Sequence, residues 1–218
     1  MTRPLPAAIL FSGTGSNLVA IASKVASGQL PLDLRLAASD RADAPGIARA
    51  AGFGIPTAAF PTRDYPSRAA HEQALGDAID AAGARLVILA GYLRIFEPGF
   101  VARYAGRLIN LHPSLLPAYP GLHTHERALA AGETMHGSSI HFVTSELDGG
   151  PLIAQARVAV RAGDTPDTLG ARVRAAEHVL YPAVLEWYAR GWLTLVGDVV
   201  HLHGLPLAAP VSTVGQDP

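Results

Sequence analysis

Short apolar runs alternate with helical stretches along the first half of the chain, and that alternation constrains the fold more than any other feature. Ala7–Phe11 reads as a strand; Ser12-Gly13-Thr14-Gly15-Ser16-Asn17 breaks it, and a helix follows to about Ser27. Leu32–Ala38 reads as a second strand, with a polar turn and a short helix near Pro45–Ala51 behind it. Ile55–Phe60 is a third, weaker strand, and a helix runs from about Pro66 to Ala82. Leu86–Ala90 is continuously apolar, as a strand covered on both faces should be. The pattern predicts a Rossmann-like, doubly wound, mostly parallel α/β sheet with helices on both faces and right-handed crossovers.

After Asn110 the texture changes. Pro113, Pro117, Pro120 and Gly121 crowd a loop that neither a helix nor a central strand tolerates. Two strand-like runs, Ser138–Val143 and Leu152–Val160, follow it. Next comes a long helix with Thr165 as N-cap, Pro166 in first position and Gly191 as terminator. Trp192–Val196 and Val199–His203 suit a hairpin around Gly197-Asp198, and the last dozen residues read as a loose tail. The expected organisation is one domain over 1–195, with a hairpin and tail over 196–218.

Composition excludes several kinds of chemistry. With no cysteine, disulfides, thiolate zinc sites, iron–sulfur ligation and cysteine nucleophiles are out. The 17 Lys+Arg against 18 Asp+Glu give a net charge of −1, without the basic surplus of a nucleic-acid or membrane-surface binder. The apolar run Leu86–Leu93 is far too short to span a bilayer, and the N-terminus is a poor secretory signal. The expectation is a cytoplasmic protein that meets neither membrane nor nucleic acid, as a monomer or homodimer.

The turn at Gly13 and Gly15 lets backbone N–H groups and a helix N-terminus face an anion, with Ser16 and Asn17 adding side-chain donors. It is neither a P-loop, since the Lys-Ser/Thr ending is missing, nor a dinucleotide fingerprint, since Leu18 takes the third glycine position. A single phosphate suits it better than a pyrophosphate, and a tight turn that holds nothing is the alternative.

Arg107–Leu111 reads as a short strand that Pro113 ends, so Asn110 and His112 share a face at its carboxyl end, where open α/β sheets bind ligands. An amide can stabilise a developing oxyanion, and an imidazole moves protons near neutral pH. Asp148, in a glycine-flanked loop, is the carboxylate to pair with His112, favouring the imidazolium. Each residue alone also has a plain structural reading as turn-former, polar rim or loop cap. The pairs His123/His125 and His201/His203 have i, i+2 spacing and no acidic third ligand beside them, so no metal is expected. His136, His141 and His178 read as satisfying local hydrogen bonds.

Several segments stand in an order and spacing seen elsewhere. They are Ser12–Leu18, Leu89-Ala90-Gly91-Tyr92-Leu93-Arg94-Ile95, Ile109-Asn110-Leu111-His112-Pro113-Ser114-Leu115-Leu116-Pro117, Tyr119-Pro120-Gly121-Leu122-His123-Thr124-His125, His141-Phe142-Val143 and Leu147-Asp148-Gly149-Gly150-Pro151. From about residue 7 to 195 the chain resembles the phosphoribosylglycinamide formyltransferases, folate-dependent enzymes of purine biosynthesis. The resemblance implies transfer of a formyl group from 10-formyltetrahydrofolate, the co-substrate, to the amine of glycinamide ribonucleotide, with no metal or redox cofactor. By position it implies Asn110, His112 and Asp148 as the catalytic trio, and Gly15, Ser16, Asn17 and Glu177 as contacts to the ribonucleotide. Arg68, Leu93, Arg94, Ile95, Phe96, Asn110, Thr144, Ser145, Glu146, Leu147 and Asp148 resemble the folate pocket.

Related enzymes share the trio. A folate deformylase usually carries an extra N-terminal domain, and the first strand here begins by Ala7. An initiator methionyl-tRNA formyltransferase carries a basic C-terminal domain, for which the residues after 195 are too few. A sugar-nucleotide formyltransferase is not expected to combine the Gly13–Asn17 turn with His123-Thr124-His125. A non-catalytic binder and a dinucleotide dehydrogenase complete the alternatives.

Overall fold

The computed structural model describes residues 3–214. In chain order the elements are β1 (Leu5–Phe11), α1 (Ser16–Ala26), β2 (Leu32–Ser39), α2 (Pro45–Gly52), β3 (Thr57–Ala59), α3 (Arg68–Ala81), β4 (Leu86–Leu89), α4 (Pro98–Arg103), β5 (Leu108–His112), α5 (Thr124–Ala130), β6 (Met135–Phe142), β7 (Leu152–Ala159), α6 (Pro166–Ala189), β8 (Leu193–Val196), β9 (Val199–Leu202), β10 (Leu205–Pro206) and β11 (Val211–Val214). Eight strands form one sheet in the order β11-β7-β6-β5-β4-β1-β2-β3, and β10-β9-β8 form a small second one. Strands β3, β2, β1, β4 and β5 are parallel. β6 runs antiparallel between β5 and β7, and β11 lies parallel to β7.

Side-chain alternation along β1 shows why helices cover both faces. Ala7, Ile9 and Phe11 enter a core with Leu18 and Ile21 of α1, Ala50 of α2 and Leu180, Val184 and Leu185 of α6. Ala8 and Leu10 face the other way, against Leu75 and Ile79 of α3 and Phe100 and Val101 of α4. All four residues of β4 are buried, as its unbroken apolar run requires. Both the doubly wound sheet and its two helical layers are as expected.

The strand order reverses between β1 and β4, because the chain leaves β1 for β2 on one side and returns to β4 on the other. A crevice forms outside the carboxyl ends at such a point. Here it is braced from both strands: Ser12 N–H donates to the Gly91 carbonyl at 2.9 Å, and Ser12 Oγ accepts from Leu93 N–H at 2.9 Å.

Several features differ from the sequence expectations. β3 is only three residues long, consistent with its position at the sheet edge. The short helices α4 and α5 sit in segments with no helical expectation; each has six or seven residues, too few for a clear apolar period. The expected loose tail is corrected over its described part: Val211–Val214 is β11, paired with Ala154–Arg157 of β7. Residues 215–218 of that tail lie outside the described residues. The line drawn after residue 195 falls inside β8, and Leu193 and Val200 are buried in the same core as β1.

Candidate active site

Asn110 and His112 are both in β5, two residues apart, and so share one face. Across the antiparallel ladder Asn110 is paired with His141 and His112 with Ser139. Asn110 Nδ2 lies 3.2 Å from His141 Nε2. The other ring nitrogen, Nδ1, is 2.9 Å from the Phe142 carbonyl, which can only accept. Nδ1 therefore carries the proton and Nε2 accepts from the Asn110 amide, which fixes the orientation of that amide. Burial holds the His141 pKa below the ordinary imidazole value, in keeping with a neutral ring.

Asp148 reaches this cluster from the loop between β6 and β7. Its Oδ2 is 3.3 Å from His112 Nδ1 and accepts from Gly121 N–H at 2.9 Å; its Oδ1 is 3.8 Å from His141 Nε2. The loop has one way to pass: Asp148 adopts φ 51°, and a Cβ on Gly150 would fall 1.8 Å from the Phe142 carbonyl oxygen. His112 Nε2 is 2.9 Å from the Tyr119 carbonyl. Both ring nitrogens of His112 thus face oxygens that can take an N–H; His112 is buried, and the Asp148 side chain is 9% exposed. The expected grouping of Asn110, His112 and Asp148 is brought together, and His141 joins it. His141 was read from sequence as a local hydrogen-bonder; its partner is visible only once the β5–β6 register is known.

A cavity of about 580 Å³ opens beside this group. Asn17, Arg174 and Glu177 line its polar end, and Leu93, Ile95, Val143 and Leu147 line an apolar end. Leu93 and Ile95 are large apolar side chains left 67% and 57% exposed, on a stretch that also carries Arg94. Phe96 is buried, stacked between Tyr92 and Phe100 at 5.1 and 4.0 Å. Thr144, Ser145 and Glu146 are in the wall as well. Arg68 stands behind it: its Nε donates to Glu72 Oε1 at 2.8 Å and its guanidinium also binds the Ile95 carbonyl, bracing the Leu93–Phe96 stretch from outside.

Gly15 caps α1 in the left-handed region with φ 71°, where an added Cβ would stand 3.0 Å from Gly46 Cα. That conformation starts α1 at Ser16 with its first N–H groups turned outward. Asn17 differs from the expected free donor. Its Nδ2 donates to Glu177 Oε2 at 2.9 Å in a buried contact between α1 and α6. Burial raises the Glu177 pKa, opposed by the Asn17 hydrogen bond and by Arg174.

The remaining histidines are dispersed. His125 Nδ1 is 3.0 Å from His136 Nε2, and burial lowers both, His136 to about 4. His201 Nδ1 contacts the Val199 carbonyl, and the His203 ring packs on Trp192. Among the described residues no group of three or more His, Cys, Asp or Glu side chains could hold a metal ion. No helix among them is long and apolar enough to cross a membrane.

Residues 6–185 match the formyl transferase family. The chain is 47% identical to the phosphoribosylglycinamide formyltransferase of Escherichia coli, over 90% of this chain and 92% of that one. It superposes on the corresponding Coxiella burnetii structure with a TM-score of 0.92 at 50% identity, covering 96% of this chain and 99% of the other. A formyltetrahydrofolate deformylase from Burkholderia mallei is more distant, with a TM-score of 0.83 at 30% identity over 92% of this chain and 70% of its own. The chain belongs to the formyl transferase family, in its phosphoribosylglycinamide formyltransferase branch.

Proposed function

We infer that this chain transfers the formyl group of 10-formyltetrahydrofolate to the amine of glycinamide ribonucleotide, giving formylglycinamide ribonucleotide and tetrahydrofolate. The observation that carries this reading is the placement of Asn110, His112 and Asp148 on one cavity wall, between an apolar end and the α1 N-terminus. A pterin suits the apolar end. A phosphate suits the first turn of α1, where backbone N–H groups and the helix dipole favour an anion.

Attack of the amine on the formyl carbon places negative charge on the formyl oxygen. The Asn110 amide, held by His141, and an N–H of His112 are the donors for that oxygen. The amine then loses a proton and the folate nitrogen gains one. In the free protein both ring nitrogens of His112 face protein oxygens. The 3.3 Å contact to Asp148 is the longer of the two, so the proton exchange runs on the Nδ1–Asp148 side. Holding both substrates in one cavity adds the advantage of proximity. Glu177 serves the ribonucleotide, and Leu93, Arg94, Ile95, Phe96 and Thr144–Asp148 serve the folate, with Arg68 supporting that stretch. The enzyme acts in the cytoplasm on small molecules, without nucleic acid, as a monomer or homodimer.

Tetrahydrofolate formation from 10-formyltetrahydrofolate, with and without glycinamide ribonucleotide, tests the reading. Release that depends on the ribonucleotide is the expected result. Equal release without it points to hydrolysis of the formyl group, and the Burkholderia relative is named as a formyltetrahydrofolate deformylase. No release in either case overturns the assignment.

A further inference from the structure

The Asn17 side chain sits in the turn assigned to the phosphate and lines the cavity, yet its amide N–H is engaged by the protein itself. Among the described residues its only donor contact is to Glu177 Oε2, at 2.9 Å, across 160 residues of sequence. Both residues are more than nine-tenths buried, Asn17 at 8% exposure and Glu177 at 3%. A buried carboxylate without hydrogen bonds is strongly disfavoured, and the amide N–H offsets part of that penalty. Asn17 Oδ1, meanwhile, is buried with no partner. An unsatisfied acceptor is destabilising, so the residue is tuned for what its N–H does.

We propose that Asn17 is a positioning residue for Glu177: its amide holds Oε2 and turns Oε1 to the ribose hydroxyls of the ribonucleotide, while the phosphate is held by backbone N–H groups of the turn. The inference rests on the functional reading above. The geometry supports it on three counts. Glu177 lines the cavity, and Oε1 has no protein partner among the described residues. Oε1 is also absent from the enclosed, unsatisfied atoms, so it opens on the cavity. An added Cβ at Gly13 would meet nothing within 4 Å, so the turn's backbone is open there, as close approach of a phosphate requires. The contact makes the start of α1 and the middle of α6 one unit, so the two ends of the ribonucleotide are gripped by connected parts.

A double-mutant cycle tests it. Asn17→Ala and Glu177→Gln should each raise the KM for glycinamide ribonucleotide roughly tenfold or more. Both should leave kcat and the folate KM within about threefold, and the double variant should be no worse than the worse single one. Losses that multiply would mean that Asn17 touches the substrate on its own and would overturn the proposal. A second readout uses glycinamide riboside, the acceptor without its phosphate, as a competitive inhibitor. In Asn17→Ala the preference for the phosphorylated compound should be unchanged; a collapse of that preference returns Asn17 to the phosphate. If Asn17→Ala does not fold, Asn17→Asp combined with Glu177→Gln keeps an amide–carboxylate bond with its ends exchanged. That pair should melt near the wild type while retaining the raised KM, and a normal KM would refute the assignment of Oε1. A wild-type enzyme lacking ribonucleotide-dependent release would overturn this inference and the functional reading together, whereas multiplicative losses in an active enzyme overturn this inference alone.

Discussion

The two ends of the cavity are built by different means. At the reacting end, Asn110, His112 and His141 sit on two adjacent strands, where ladder register sets which side chains meet. At the anchoring end, Asn17 and Glu177 meet because two helices pack together, with one buried hydrogen bond between them. Strand register is set to one residue, since a slip moves every side chain to the opposite face. Helix packing tolerates small shifts and relies on the contact itself to hold the geometry. The reacting end is therefore pre-set, and the anchoring end depends on its polar pair. Substitutions at the first should act on kcat, and at the second on KM.

The largest effect should come from His112→Ala, with kcat lower by about two to four orders of magnitude and both KM values nearly unchanged. Steady-state kinetics of tetrahydrofolate formation give the answer, and near-normal turnover would remove the proton-transfer role. Asn110→Ala should follow, with a loss in kcat of about a hundredfold to a thousandfold; a change confined to KM would erase the contrast between the two ends.

Gly15→Val sharpens the comparison from the other side. The left-handed φ of 71° and the 3.0 Å approach to Gly46 leave a β-branched residue strained by about 1–3 kcal/mol. Weaker ribonucleotide binding, a lower melting temperature and an unchanged folate affinity are expected. Loss of folate affinity instead would mean the two substrates have been assigned to the wrong ends.

The smallest effects concern pH and stability. Burial raises the Glu177 pKa above its unfolded value, so its contribution to stability is fully present at low pH and is lost as pH rises through the raised value. Glu177→Gln should accordingly melt higher than the wild type at neutral pH, with the gap closing in acid, even as its ribonucleotide KM rises. His136 has the opposite sign: its pKa, lowered from 6.5 to about 4, gives stability present above 6.5 and lost as pH falls toward 4. His136→Gln should flatten that acid limb in thermal melts, and an unaltered limb would assign the acid sensitivity to another group.

The amino-acid sequence alone determined the alternation of strands and helices, because apolar periodicity and the Gly and Pro punctuation act over a few residues. It also determined that Asn110 and His112 share a face, since period-two alternation is local, and it offered Asp148, in its glycine-flanked loop, as the carboxylate to pair with His112, which the resemblance also implied. The short helices α4 and α5 stayed hidden because six or seven residues carry too little period. β11 stayed hidden because a lone four-residue edge strand is recognised only by its partner β7. Tertiary structure alone decided that His141 contacts the Asn110 amide, that Arg68 binds the Ile95 carbonyl, and that Asn17 donates to Glu177. The reason is physical: each of these bonds joins residues far apart in sequence, and only register and packing settle which buried donor reaches which acceptor.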